Sequence, residues 1–112
     1  MPAESQRLKA AHTGNENTAN GAFALFSTTT GSRNTAVGDS ALLNNITGSE
    51  NSAFGWSALS FNTSGGDNTA IGHDALFFNI VGSRNTAIGS SALQDNQTGH
   101  DNTAVGDFAL IL

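Results

Sequence analysis

The residues able to carry acid–base or metal chemistry are few in this chain, and their spacing is the first thing to weigh. The 112 residues include three His, nine Asp or Glu, four Lys or Arg and no Cys. His12, His73 and His100 occupy unrelated places in the sequence pattern described below, so they form no cluster. Asp39, His73 and Asp107 do share a pattern position, but each lies two pattern units from the next, about 10 Å if units stack at strand spacing. That separation is too large for shared metal coordination or direct proton transfer. The expectation is therefore no catalytic residue, no metal and no cofactor. Gly65-Gly66-Asp67 resembles a calcium-binding turn, but it occurs once, and Arg33 and Arg84 interrupt the acidic positions related to it. Three N-x-S/T sequons begin at Asn45, Asn62 and Asn96. They follow from repeated Asn and Thr positions and carry little information of their own.

Aromatic chemistry offers more. Phe61 and Phe78 fall one pattern unit apart, Phe77 lies beside them, and Trp56 is one turn away. Such a strip is a candidate glycan- or receptor-binding surface, since aromatic faces stack on sugar rings; the competing reading is a packing cluster at an interface or on a flank. The net charge of −5 gives no footprint for nucleic acid. No apolar run approaches a membrane-spanning length, and residues 1–13 lack the hydrophobic region of a signal peptide.

The elements that must position these residues are copies of one unit. Glycine opens a matching segment at 14, 31, 48, 65, 82 and 99, a period of 17 residues without insertion. The unit reads G-x-x-N-T-A-φ-G-x-x-A-L-x-x-N-x-T, with φ usually Val, Ile or Phe. Its opening Gly, its Asn at the fourth position, Ala at the sixth, Gly at the eighth and Ala-Leu at the eleventh and twelfth do not vary. Glycine every seven to ten residues argues against helix, at about 1 kcal/mol each relative to Ala. Seventeen residues suit two short strands and two turns. The expected strands are N-T-A-φ (Asn68–Ile71) and x-A-L-x-x (Asp74–Phe78). The pattern thus predicts an all-β chain, a parallel β-roll or β-solenoid with one repeat per coil, each strand pairing with its copy 17 residues on. Residues 14–112 form this solenoid, and residues 1–13 a polar lead-in that is irregular, helical or half of a degenerate coil.

Stacking arranges repeat positions in columns. Position three reads Glu16, Arg33, Glu50, Asp67, Arg84 and Asp101, and four of its five adjacent pairs have opposite sign. Position four is an asparagine ladder from Asn17 to Asn102. The Leu column (Leu25, Leu42, Leu59, Leu76, Leu93, Leu110) and the φ column (Val37, Phe54, Ile71, Ile88, Val105) are the expected core, with Asn20 breaking the latter in the first coil. Ala beside φ, and Ala beside Leu, leave both strand faces apolar, which points to packing against other chains. The last coil ends on Ala109-Leu110-Ile111-Leu112, an open apolar edge suited to end-to-end association.

The phrase N-T-A-φ-G-x-x-A-L at a 17-residue period, over residues 14–112, resembles shaft repeats of bacteriophage and phage-like tail fibres. It is more distantly similar to head repeats of trimeric autotransporter adhesins. The resemblance implies a left-handed parallel β-roll, a homotrimer, and a place on a virion or cell surface. On this reading the chain is a rigid shaft or head. The alternatives are a glycan- or receptor-binding module using Trp56, Phe61, Phe77 and Phe78, and a self-assembling extracellular filament.

Overall fold

The computed structural model describes residues 13–111. Six three-residue strands occur at one place in each repeat: β1 (Thr18–Asn20), β2 (Thr35–Val37), β3 (Ser52–Phe54), β4 (Thr69–Ile71), β5 (Thr86–Ile88) and β6 (Thr103–Val105). They form one six-stranded sheet in chain order, all pairs parallel. Every residue pairs with the residue 17 further on, as Thr69 does with Thr86. The chain is a β-solenoid of about five turns at 17 residues per turn, as the period predicts. Thr13 donates its N–H to the Thr29 carbonyl (2.8 Å), as Thr30 does to Ile46 one coil on. The remainder of the lead-in lies outside the described residues.

The strands are short because glycine ends them. Gly72, at φ +132, turns the chain directly after Ile71, and its counterparts lie between +127 and +135. Within each strand the middle Ala points inward and its two neighbours outward. This corrects one expectation. Val37, Phe54, Ile71, Ile88 and Val105 are not core; they lie on the outer face, 36–69% exposed. The interior instead holds Ala36, Ala53, Ala70 and Ala87, all fully buried, packed with Ala and Leu from the opposite flank, such as Ala75 and Leu76. Side chains alternate strictly along a strand, so a choice of one residue inverts the face. The inward position of the strand is Ala in all six repeats, and the larger φ side chains stand outside.

The second expected strand is also corrected. Asp74–Phe78 is a staircase of tight turns. The N–H groups of Ala75, Phe77 and Asn79 bond the carbonyls of Gly72, Asp74 and Leu76 within the coil (3.1–3.2 Å). Between them, Asp74, Leu76 and Phe78 bond Trp56, Ala92 and Gln94 of adjoining coils (2.9–3.0 Å). Asp74 (φ 60) and Leu76 (φ 52) sit in the left-handed region at the third position of successive turns, the φ pattern of type II turns. Left-handed backbone costs an L-residue about 1–2 kcal/mol. Complete burial of Leu76 is worth about 1.5–3 kcal/mol and offsets it.

Candidate functional site

The polar interior is the most ordered chemical arrangement in the molecule. At position four, Asn68 donates from its backbone N–H and from Nδ2 to Asn51 Oδ1 (both 3.0 Å), and from Nδ2 to the Gly82 carbonyl (2.8 Å). Its own Oδ1 accepts the backbone N–H (3.0 Å) and the Nδ2 (3.2 Å) of Asn85. The same set recurs through Asn34 and Asn51, and all four of these amides are fully buried.

A second ladder, at position fifteen, runs parallel to the first. Asn62 Nδ2 donates to Asn45 Oδ1 (2.7 Å), Asn79 to Asn62 (2.8 Å) and Asn96 to Asn79 (2.9 Å). The signal is present in the sequence as the fifteenth-position Asn column that also produces the sequons. Asn45 and Asn62 are fully buried, so these sequons offer no accessible amide. The ladders converge: the Gly82 carbonyl accepts from Asn68 (2.8 Å) and Asn79 (2.9 Å) together, and Gly65 and Gly48 repeat the arrangement. A Cβ on Gly65 would overlap the Gly82 carbonyl oxygen. Close approach, rather than an unusual φ, is what demands glycine here.

Position two supplies a third, weaker ladder on the surface. Ser32 N–H donates to Ser49 Oγ (2.9 Å), Gly66 N–H to Ser83 Oγ (3.0 Å) and Ser83 N–H to His100 Nδ1 (3.0 Å). His100 is thus an acceptor at the edge of a coil, distant in pattern from His73.

Position three places its charges one above another, each in left-handed backbone with φ between 57 and 63. Arg33 lies between Glu16 (4.0 Å) and Glu50 (3.4 Å). Arg84 makes a bidentate pair with Asp101, Nε–Oδ1 2.6 Å and Nη2–Oδ2 3.1 Å. The hydrogen bond from Arg84 holds the Asp101 carboxyl below its usual value, and Asp101 in turn raises Arg84. Glu50 and Asp67 meet as like charges, and no ion pair joins Asp67 to Arg84 among the described residues. These side chains are half or more exposed, so they contribute alignment more than stability.

The aromatic residues divide into separate groups. Phe61, Phe77 and Phe78 form a cluster with centroids 4.6–5.4 Å apart, Phe61 stacking on Phe78 and Phe77 edge-on to both. Trp56 packs instead on His73 at 4.7 Å, and His73 Nε2 lies 3.7 Å from Asp74 Oδ2. No ring contact joins Trp56 to the phenylalanines among the described residues. Within the same limits there is no cavity, no group of His, Asp and Glu placed to hold a metal ion, and no helix long and apolar enough to cross a membrane. No protein-family model, curated protein or solved structure matches the chain.

Proposed function

We propose that this chain is a structural segment, a rigid shaft or head within a homotrimeric surface fibre of the tail-fibre or adhesin-like kind, borne on a virion or cell surface, and that it is not an enzyme. The observation that carries the reading is the closure of every coil onto the next. One asparagine ladder joins all six coils from Asn17 to Asn102 and a second joins four coils from Asn45 to Asn96, so the molecule resists bending and slippage while leaving its outer surface free to vary. Repeat stacks of this kind derive stability from nearest-neighbour interfaces and present extended surfaces for assembly or binding. The outward apolar column supports self-association, because it is uncovered in a single chain.

Sedimentation and negative-stain microscopy test the proposal together. A short rod with three times the 11.4 kDa chain mass is expected. A stable monomer at micromolar concentration would overturn it, and particles that lengthen with concentration would favour the filament instead. The glycan-binding alternative has less support, because Trp56 packs on His73 apart from Phe61, Phe77 and Phe78, so the four side chains do not form one strip. Glycan-array binding abolished by Trp56→Ala would restore it.

A further inference from the structure

Asparagine plays two unlike parts in this chain. In the ladders its side-chain amide is held on both sides. Asn51, for instance, donates from Nδ2 to the Gly65 carbonyl (2.8 Å), and its Oδ1 accepts from the backbone N–H and Nδ2 of Asn68 (both 3.0 Å). Asn20 is different. It stands at position seven, where the later coils carry Val, Phe or Ile, and its side chain is exposed. Among the described residues no hydrogen bond holds its amide. It is also the one asparagine in the sequence followed directly by glycine.

That neighbour matters chemically. The backbone nitrogen after an asparagine can reach the side-chain amide carbon, and a side chain on the following residue obstructs the approach. Every ladder asparagine at position four is followed by Thr or Ser, and those at position fifteen by Ile, Thr or Gln. Gly21 presents no such obstacle. In later coils the N–H of this glycine is engaged: Gly38 donates to the Asn20 carbonyl and Gly72 to the Phe54 carbonyl, both at 2.8 Å. The Gly21 N–H has no acceptor among the described residues. Within the same limits β1 pairs with β2 alone, whereas each of β2 to β5 pairs on both sides. The first coil therefore opens more readily than those behind it.

We propose that Asn20–Gly21 is a deamidation site, through which the first coil, alone among the coils, undergoes slow covalent change in water. Ring closure needs the chain to turn out of the extended strand, so it proceeds from the opened first coil. The Gly21 nitrogen gives up its proton and bonds to Cγ of Asn20. The Cγ–Nδ2 bond breaks, and ammonia leaves with that proton. Water then opens the resulting cyclic imide. Opening between Cγ and the Gly21 nitrogen leaves an aspartyl residue. Opening between the main-chain carbonyl carbon and that nitrogen leaves an isoaspartyl linkage, with the chain routed through the side chain. In sum, an amide and water become a carboxylate and ammonium, with no change of oxidation state. The two products act differently on the fold. The aspartyl form adds a negative charge beside β1. The isoaspartyl form inserts an extra carbon between Ala19 and Gly21 and displaces the carbonyl that accepts from Gly38. β1 then loses its register with β2, while β2 to β6 stay paired.

Ageing the purified protein in mildly alkaline buffer, followed by peptide mapping with electron-transfer fragmentation, tests the site. Asn20 is expected to convert before any other asparagine, as a mixture of aspartyl and isoaspartyl forms. Amide exchange should quicken in β1 and stay unchanged in β3 to β5. Asn20→Val gives the first coil the residue that Val37 supplies in the second, and its first coil is expected to keep its mass and its exchange rates on ageing. Ile71→Asn places the same dipeptide in mid-sheet, where the Gly72 N–H is bonded. It is expected to convert severalfold more slowly there than Asn20 does in the same molecules. Conversion of a ladder asparagine ahead of Asn20 would overturn the assignment. So would an Asn20 that survives in the folded chain yet converts in urea, since the coil would then protect it. Equal rates at positions 20 and 71 would trace the reaction to the dipeptide alone and overturn the part given to the first coil.

Discussion

On one flank of each coil Thr69–Ile71 runs extended and pairs with its neighbours as an ordinary parallel strand. On the other, Gly72–Asn79 descends by alternating turns, with three of its N–H groups bonded within the coil and four to adjoining coils. Both flanks satisfy the backbone, yet by different means. The strand flank needs only small inward side chains and relaxed dihedrals. The turn flank holds Asp74 and Leu76 in left-handed backbone, and does so because Leu76 is the side chain that fills the interior. One flank is therefore stable by local preference, and the other by tertiary burial that overrides it.

The asparagine ladders give the sharpest way to break that comparison. Asn68, on the strand flank, accepts the backbone N–H of Asn85 as well as its side-chain amide; Asn79, on the turn flank, accepts side-chain amides only. Asn68→Ala leaves a buried backbone N–H of Asn85 without its acceptor and is expected to cost about 3–5 kcal/mol, against about 2–3 kcal/mol for Asn79→Ala. Urea unfolding of the two variants measures the difference, and equal midpoints would show that the flanks share the load evenly.

A second pair of substitutions separates backbone from side chain. Leu76→Ala is expected to cost about 2–4 kcal/mol through the cavity it opens. Leu76→Gly is expected to cost no more than that, because glycine releases the left-handed strain that Ala retains. On the strand flank the order reverses: Ala70→Gly is expected to lose about 1 kcal/mol with no strain to recover. Thermal melts of the three proteins would refute the account if Leu76→Gly proved clearly worse than Leu76→Ala.

These contrasts also explain which parts of the fold were legible in sequence. The period, the parallel register and the N-T-A-φ strand follow from an insertion-free repeat with glycine after φ, and the charge column follows from alternating sign at position three. The parity of the strand was not legible, because Ala70 and Ile71 are both apolar and sequence alone does not say which of two neighbours faces in. Volume decides it, and volume is known only once the opposite wall is in place. The turn staircase was hidden for a similar reason. Ala75-Leu76 carries no glycine to mark its left-handed residue, so it reads as extended chain.

The smallest effect belongs to the charge column, which lies on neither flank. Asp101 has its carboxyl pK lowered by Arg84, so its contribution is complete above the unfolded carboxylate value near 3.9 and is lost as pH falls through the lower folded value. A slight destabilisation confined to pH below about 4, absent in Asp101→Asn, is expected in acid melts. High salt should shrink it further.

Glycine stacked against glycine, as Gly65 is beneath Gly82, makes the molecule a ruler with fixed graduations. Each 17-residue unit adds one strand spacing, about 4.8 Å of length. Loss or gain of a whole unit leaves every column continuous, whereas a change of one residue puts a side chain where only a carbonyl fits. Recombination between repeats in the coding sequence would therefore change length in whole steps while sparing the fold.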